Sequence, residues 1–105
     1  MLVASLRLVL DVPGAFSLKE KRRVRARLVD RLRNRFGASI AEVEDLDMHS
    51  RLVIGVALVG NDRRVLESAL SKIVDAVEDM AVARIVGEDW EISPFPSSPV
   101  LTWQD

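Results

Sequence analysis

Five cations recur at every fourth position: Lys19, Arg23, Arg27, Arg31 and Arg35. On a helix that spacing makes one row, and at 1.5 Å per residue the row runs about 24 Å. The chemistry open to such a row is the capture of anions, phosphate groups above all. Like charges four residues apart repel by roughly 0.2–0.5 kcal/mol, so the neighbouring pairs cost about 1–2 kcal/mol. Lys19 and Lys21 also stand where the helix dipole disfavours a cation. Glu20 and Asp30 relieve only part of this. Stability alone does not explain the arrangement. Lys21 and Arg25 differ from the row, because their bearings fall inside the apolar arc between Val24 and Val29. Three roles are open to them: snorkelling past the sheet edge to water, an internal salt bridge, or holding a bound anion.

Other reactive groups are sparse. There is no cysteine and one histidine, and no serine sits in a nucleophile elbow. Asp45, Asp47 and His49 alternate as metal ligands on a strand would, but no fourth ligand accompanies them, and a polar loop is the simpler reading. Glu42 and Glu44 share one face of a short strand, where solvation or pairing with Arg or Lys is expected before acid–base work. Gly60-Asn61-Asp62 has the wrong glycine spacing for a phosphate loop. The expectation is a protein that is not an enzyme, with no catalytic residue, no metal site and no cofactor.

These residues need elements to hold them. Ser17 to Gly37 reads as a helix, with Ser17 and Glu20 forming a capping box and Gly37 closing the last turn. Val24, Leu28, Leu32 and Phe36 give it one apolar stripe. Leu2 to Asp11 alternates as a strand with a leucine face. A weaker edge strand covers Ala38 to Asp45. Arg51 to Val59 is apolar on both faces and therefore central. Arg63 to Met80 forms a second helix, acidic on its outer side through Glu67, Asp75, Glu78 and Asp79. Val82 to Ile92 is the last strand, with an interruption expected at Gly87-Glu88-Asp89.

The order β-α-β-β-α-β, with right-handed crossovers, predicts an α+β ferredoxin-like sandwich: a four-stranded antiparallel sheet with two helices on one face. The single domain spans 1–92. A Pro/Ser-rich tail follows over 93–105, mobile or laid across the body with Phe95 and Trp103 as anchors. The other sheet face would show Val3, Ser5, Val53, Gly55 and Ala57, a small apolar patch that wants cover. A homodimer, sheet to sheet, is one expected solution.

The formal net charge of the 105 residues is −1, yet it is segregated. Residues 18 to 35 hold nine Lys or Arg against two acids, and the remainder holds six against fourteen. No apolar run approaches the ~20 residues that span a bilayer, and the start lacks a basic leader. A soluble, cytoplasmic protein with no membrane partner is expected.

Ser17-Leu18-Lys19-Glu20-Lys21-Arg22, Arg31-Leu32-Arg33-Asn34-Arg35-Phe36, Ser39-Ile40-Ala41-Glu42-Val43 and Gly60-Asn61-Asp62 fall in an order and spacing that resembles the YlxP-like family of small bacterial proteins. The resemblance covers about residues 1 to 92. It implies a ferredoxin-like fold without an established activity, and a gene context among translation genes that implies association with RNA or the ribosome. His49 stands where many members carry an aromatic residue.

The central strands carry no aromatic residue, which excludes base stacking on the sheet. What remains is backbone binding by the basic helix, to structured RNA or a ribosomal subunit, through Lys19, Arg22, Arg23, Arg27 and Arg31, with Lys21 and Arg25 as further anion-binding candidates. The alternatives are a protein–protein module using the open sheet face and a small-anion-binding regulatory domain.

Overall fold

The computed structural model describes residues 1–98. Six elements follow in the expected order: β1 (Leu2–Asp11), α1 (Leu18–Phe36), β2 (Ser39–Glu44), β3 (Arg51–Gly60), α2 (Arg63–Met80) and β4 (Arg84–Pro94). The strands form one antiparallel sheet in the order β2-β3-β1-β4, so the two apolar strands are central. This is the ferredoxin-like α+β arrangement.

The β1–β3 register runs from Leu2 opposite Gly60 to Asp11 opposite Arg51. It sets Leu6, Leu8 and Leu10 beside Val56, Ile54 and Leu52, all buried. Leu28 and Leu32 of α1 and Leu66, Leu70, Ile73 and Val77 of α2 close this layer. Each such aliphatic side chain contributes about 1.5–3 kcal/mol on burial, which seats both helices on one face.

Local signals end the helices. The Ser17 Oγ accepts from the Glu20 N–H at 3.2 Å. The Glu20 carboxylate accepts from the Phe16 N–H at 3.0 Å, one residue further back than a capping box requires. Gly37 is left-handed, with φ 61°, and its N–H donates to the Arg33 carbonyl. The Asp62 carboxylate caps α2 by accepting from the N–H groups of Arg64 and Val65.

Two elements depart from expectation. β4 is continuous where Gly87-Glu88-Asp89 was expected to interrupt it. Gly87 pairs with Val9 at a register shift, and a Cβ there would stand 3.2 Å from the Val9 side chain. The glycine admits a close strand approach and does not break the strand. In β2, Glu42 pairs with Ile54 while Glu44 pairs with Val53, so Val43 is an extra residue in a bulge. Glu42 and Glu44 therefore do not share a face.

β4 reaches Pro94, two residues beyond the expected domain limit. The Phe95 N–H continues the ladder to the Met1 carbonyl at 2.7 Å, while its ring is exposed. The anchor expected at Trp103 lies outside the described residues. No helix among the described residues is long and apolar enough to cross a membrane.

Candidate nucleic-acid interface

The apolar stripe that seats α1 on the sheet fixes where its cations go. Leu28, Val29 and Leu32 are buried, and Val24 packs partly against the core. Lys19, Arg22, Arg23, Arg27 and Arg31 are all exposed. Among the described residues, none of these five takes part in an ion pair or a side-chain hydrogen bond. Asp79 of α2 shares a hollow of about 140 Å³ with Arg31 and Arg35, and Glu20 shares a depression with Lys19 and Arg23, but neither acid forms an ion pair with the row. Lys19 and Arg23 line a shallow depression of about 480 Å³ beside the Pro13-Gly14 turn. Arg35 stacks on the Phe36 ring at 5.0 Å, and Arg33 donates to the Ile40 carbonyl at 2.5 Å. The row is thus free along its first three turns and engaged at its end.

Lys21 is a correction. It was a candidate for holding an outside anion, yet it is 1% exposed. Its ammonium donates to the carbonyls of Asp45, Leu46 and Arg51 at 2.9, 3.3 and 3.2 Å. It also lies 2.7 Å from the Glu42 Oε2. Three N–H donors already serve three carbonyls, so that oxygen receives the charge of the ammonium without a well-aligned hydrogen bond. The internal salt bridge is the role the fold uses. Arg25 joins it, donating from Nη1 to the Glu42 Oε1 at 3.1 Å while remaining about a third exposed. One carboxylate from β2 therefore pairs with both cations that the sequence places in the apolar arc, one through each oxygen. A groove of about 390 Å³ beside this cluster is lined by Arg25, Arg33, Asp30 and Glu42.

The bulge sends Glu44 to the other side of the sheet. There Arg7 grips it with two parallel bonds, Nε to Oε1 at 2.8 Å and Nη2 to Oε2 at 2.6 Å, and reaches Asp89 at 3.3 Å. The hydrogen bond from Arg7 holds the Glu44 carboxyl below its ordinary range. The same bond, with the charges of Glu44 and Asp89, raises the Arg7 guanidinium. This belt links β2, across β3, to β1 and β4 on the open face. Sequence reasoning missed it, because Arg7 was counted only as one member of an apolar strand face.

The open face is accordingly less bare than expected. Val53, an interface candidate, is fully buried within the chain. It is flanked by Val9 and Glu44 in register. Gly55 lies beneath Val43, whose Cγ1 would stand 2.9 Å from an added Cβ. Val3 is half-buried, and only Ser5 and Ala57 of the candidates are exposed. A depression of about 480 Å³ around Arg7, Ala41 and Ala57 remains.

The His49 Nδ1 lies 2.7 Å from the Ala15 carbonyl, which accepts its proton and ties the β2–β3 loop to the β1–α1 turn. Asp45 gives its carbonyl to Lys21 and its carboxylate, at 3.8 Å, to Arg51.

A family model described as a protein of unknown function (DUF503) matches residues 3–90. The uncharacterized protein YlxP of Bacillus subtilis is 36% identical over 64 residues, which cover 61% of this chain and 70% of that protein. Among solved structures, a variant of SnoaB, a cofactor-independent oxygenase from Streptomyces nogalater, aligns with TM-score 0.50 at 15% identity. That alignment covers 96% of this chain and 98% of the other. It corrects the expectation that the protein is not an enzyme. A chain of this architecture performs oxygenation without a cofactor, so the scarcity of catalytic motifs does not exclude catalysis here. At 15% identity the likeness is one of fold and carries no activity across.

Proposed function

We propose, for a chain that belongs to the DUF503 family of proteins of unknown function, that the outer face of α1 docks on structured RNA or a ribosomal subunit through phosphate contacts. The observation that supports this reading is the unengaged row. Lys19, Arg22, Arg23, Arg27 and Arg31 are exposed and, among the described residues, without an acidic partner. Nearby cations of the same helix are all satisfied internally: Lys21 and Arg25 by Glu42, Arg33 by a carbonyl, Arg35 by a ring. The fold has carboxylates to spare, and none of those described forms an ion pair with these five. A helix face of this length presents its charges over about 18 Å from residue 19 to residue 31, close to the spacing of several phosphates along a strand. Contacts of this kind position a protein on a backbone and read no sequence.

The test is co-sedimentation with purified ribosomal subunits and a structured RNA. The wild-type chain should pellet with one of them at low salt. The Arg23→Glu, Arg27→Glu, Arg31→Glu triple variant should stay in the supernatant with an unchanged circular dichroism spectrum. Equal pelleting of the two proteins, or none by the wild type, would remove the reading.

A further inference from the structure

The basic row leaves a second feature unused. Between α2 and β4 lies a slot of about 260 Å³, with Leu6, Leu70 and Val74 among its apolar lining and the indole of Trp90 beside them. Trp90 is 51% exposed, although its strand neighbour Ile92 is buried in the core. Asp75 and Glu88 also line the slot, and among the described residues neither takes an ion pair. The volume falls below the ~300–1,000 Å³ usual for small-molecule sites, but it suits a single long side chain with an apolar stem.

The strand beside the slot is open. β4 is the outermost strand of the order β2-β3-β1-β4, so its far edge has no partner among the described residues. The strand has eleven residues, and the register shift makes Val86 an extra residue in a bulge, which leaves residues 87–93 as the regular stretch of the edge. Here the side chains along the middle of the edge are acidic on both faces. Glu88 lies on the helix side with Trp90, while Asp89 and Glu91 lie opposite Arg7 and Ser5 on the other. Carboxylates on both faces repel a second copy of this strand and favour a strand of opposite charge.

We infer that β4 accepts a basic, extended protein segment as a fifth strand, with one Lys or Arg side chain entering the slot. Backbone pairing along the edge supplies affinity, and alternate side chains supply selectivity. The cation that enters lays its stem on Leu70 and Val74, sets its charge against Asp75 and Glu88, and has the Trp90 ring within reach. Residues two apart on the incoming strand fall on the same face, so a second cation can meet the helix side while those between them meet Glu91. A phosphate backbone is repelled by the same carboxylates. The surface is therefore distinct from the α1 face and stands or falls without it.

The full chain carrying Trp103→Phe keeps Trp90 as its one tryptophan reporter. The probes are an acetylated, amidated heptapeptide alternating Arg and Thr, its Glu–Thr counterpart, and two forms of the Arg–Thr peptide N-methylated at alternate amides in either phase. Trp90 emission should change saturably with the Arg–Thr peptide. Affinity should be at least tenfold weaker for the Glu–Thr peptide and for one of the two methylated phases. Asp75→Asn with Glu88→Gln should weaken the Arg–Thr peptide by tenfold or more without shifting thermal unfolding, and Glu88→Gln alone should show a smaller loss in the same direction. No saturation at millimolar Arg–Thr peptide, equal binding of the Glu–Thr peptide, or indifference to both methylated phases would overturn the inference.

Discussion

Lys21 shows how one side chain can be charged, central and yet unavailable. Its burial costs several kcal/mol in lost hydration, offset by Glu42 and three carbonyls that close the two ends of the β2–β3 loop. Lys21→Met should destabilise the fold by about 3–5 kcal/mol in urea unfolding, because Glu42 is then left buried with only Arg25 beside it. Lys21→Met combined with Glu42→Leu should recover much of that loss, and the double-mutant cycle measures the coupling. On the open face, Glu44→Gln tests the grip of Arg7. The Glu44 carboxyl is held below its ordinary value, so its contribution is present above the unfolded-state value and is lost as pH falls through the lowered one. The difference in urea midpoint between wild type and Glu44→Gln should be full at neutral pH and vanish in acid. The bearings of Lys21 and Arg25 were legible in the sequence, and an internal salt bridge stood among their possible roles. Their partner was not legible, because alternation along β2 puts Glu42 and Glu44 on one face. A bulge at Val43 breaks that parity, and nothing in six short residues announces it.

At the scale of elements, α1 combines strong ends with a strained middle. Ser17→Ala should cost about 1 kcal/mol by removing the acceptor for the Glu20 N–H. Replacing Arg23, Arg27 and Arg31 by Gln should act in the opposite direction. It removes every four-residue repulsion along the row, and the unfolding free energy should rise by roughly 1–2 kcal/mol. A gain in stability with a loss of RNA binding would mark a face kept for a partner; a loss of stability would mean that the guanidinium groups hold the fold together. Both helices and the two central strands could be read from periodicity, since Leu6, Leu8 and Leu10, and Leu28 and Leu32, repeat with unmistakable periods of two and four. β4 was harder. Gly87 resembles a breaker in sequence, and its purpose becomes visible only when Val9 is seen across from it. The open sheet face differs for a similar reason: Gly55 lies beneath Val43 of the neighbouring strand β2, a contact set by the bulge and not by alternation.

Across the whole molecule, charge is sorted by element: cations on α1, carboxylates on α2 and β4. Such a distribution orients encounters with a polyanion and makes them sensitive to salt. Family membership and fold leave the partner to be found by binding. The direct measurement is the affinity of the wild-type chain for the RNA or ribosomal subunit with which it sediments, taken across a series of salt concentrations. With five cations on phosphates, log affinity against log salt should fall with a slope of about −3.5 to −4.5. The Arg23→Gln, Arg27→Gln, Arg31→Gln variant should lose about three-fifths of that slope. A wild-type slope near zero, or one that the three substitutions leave unchanged, would contradict docking through the α1 row.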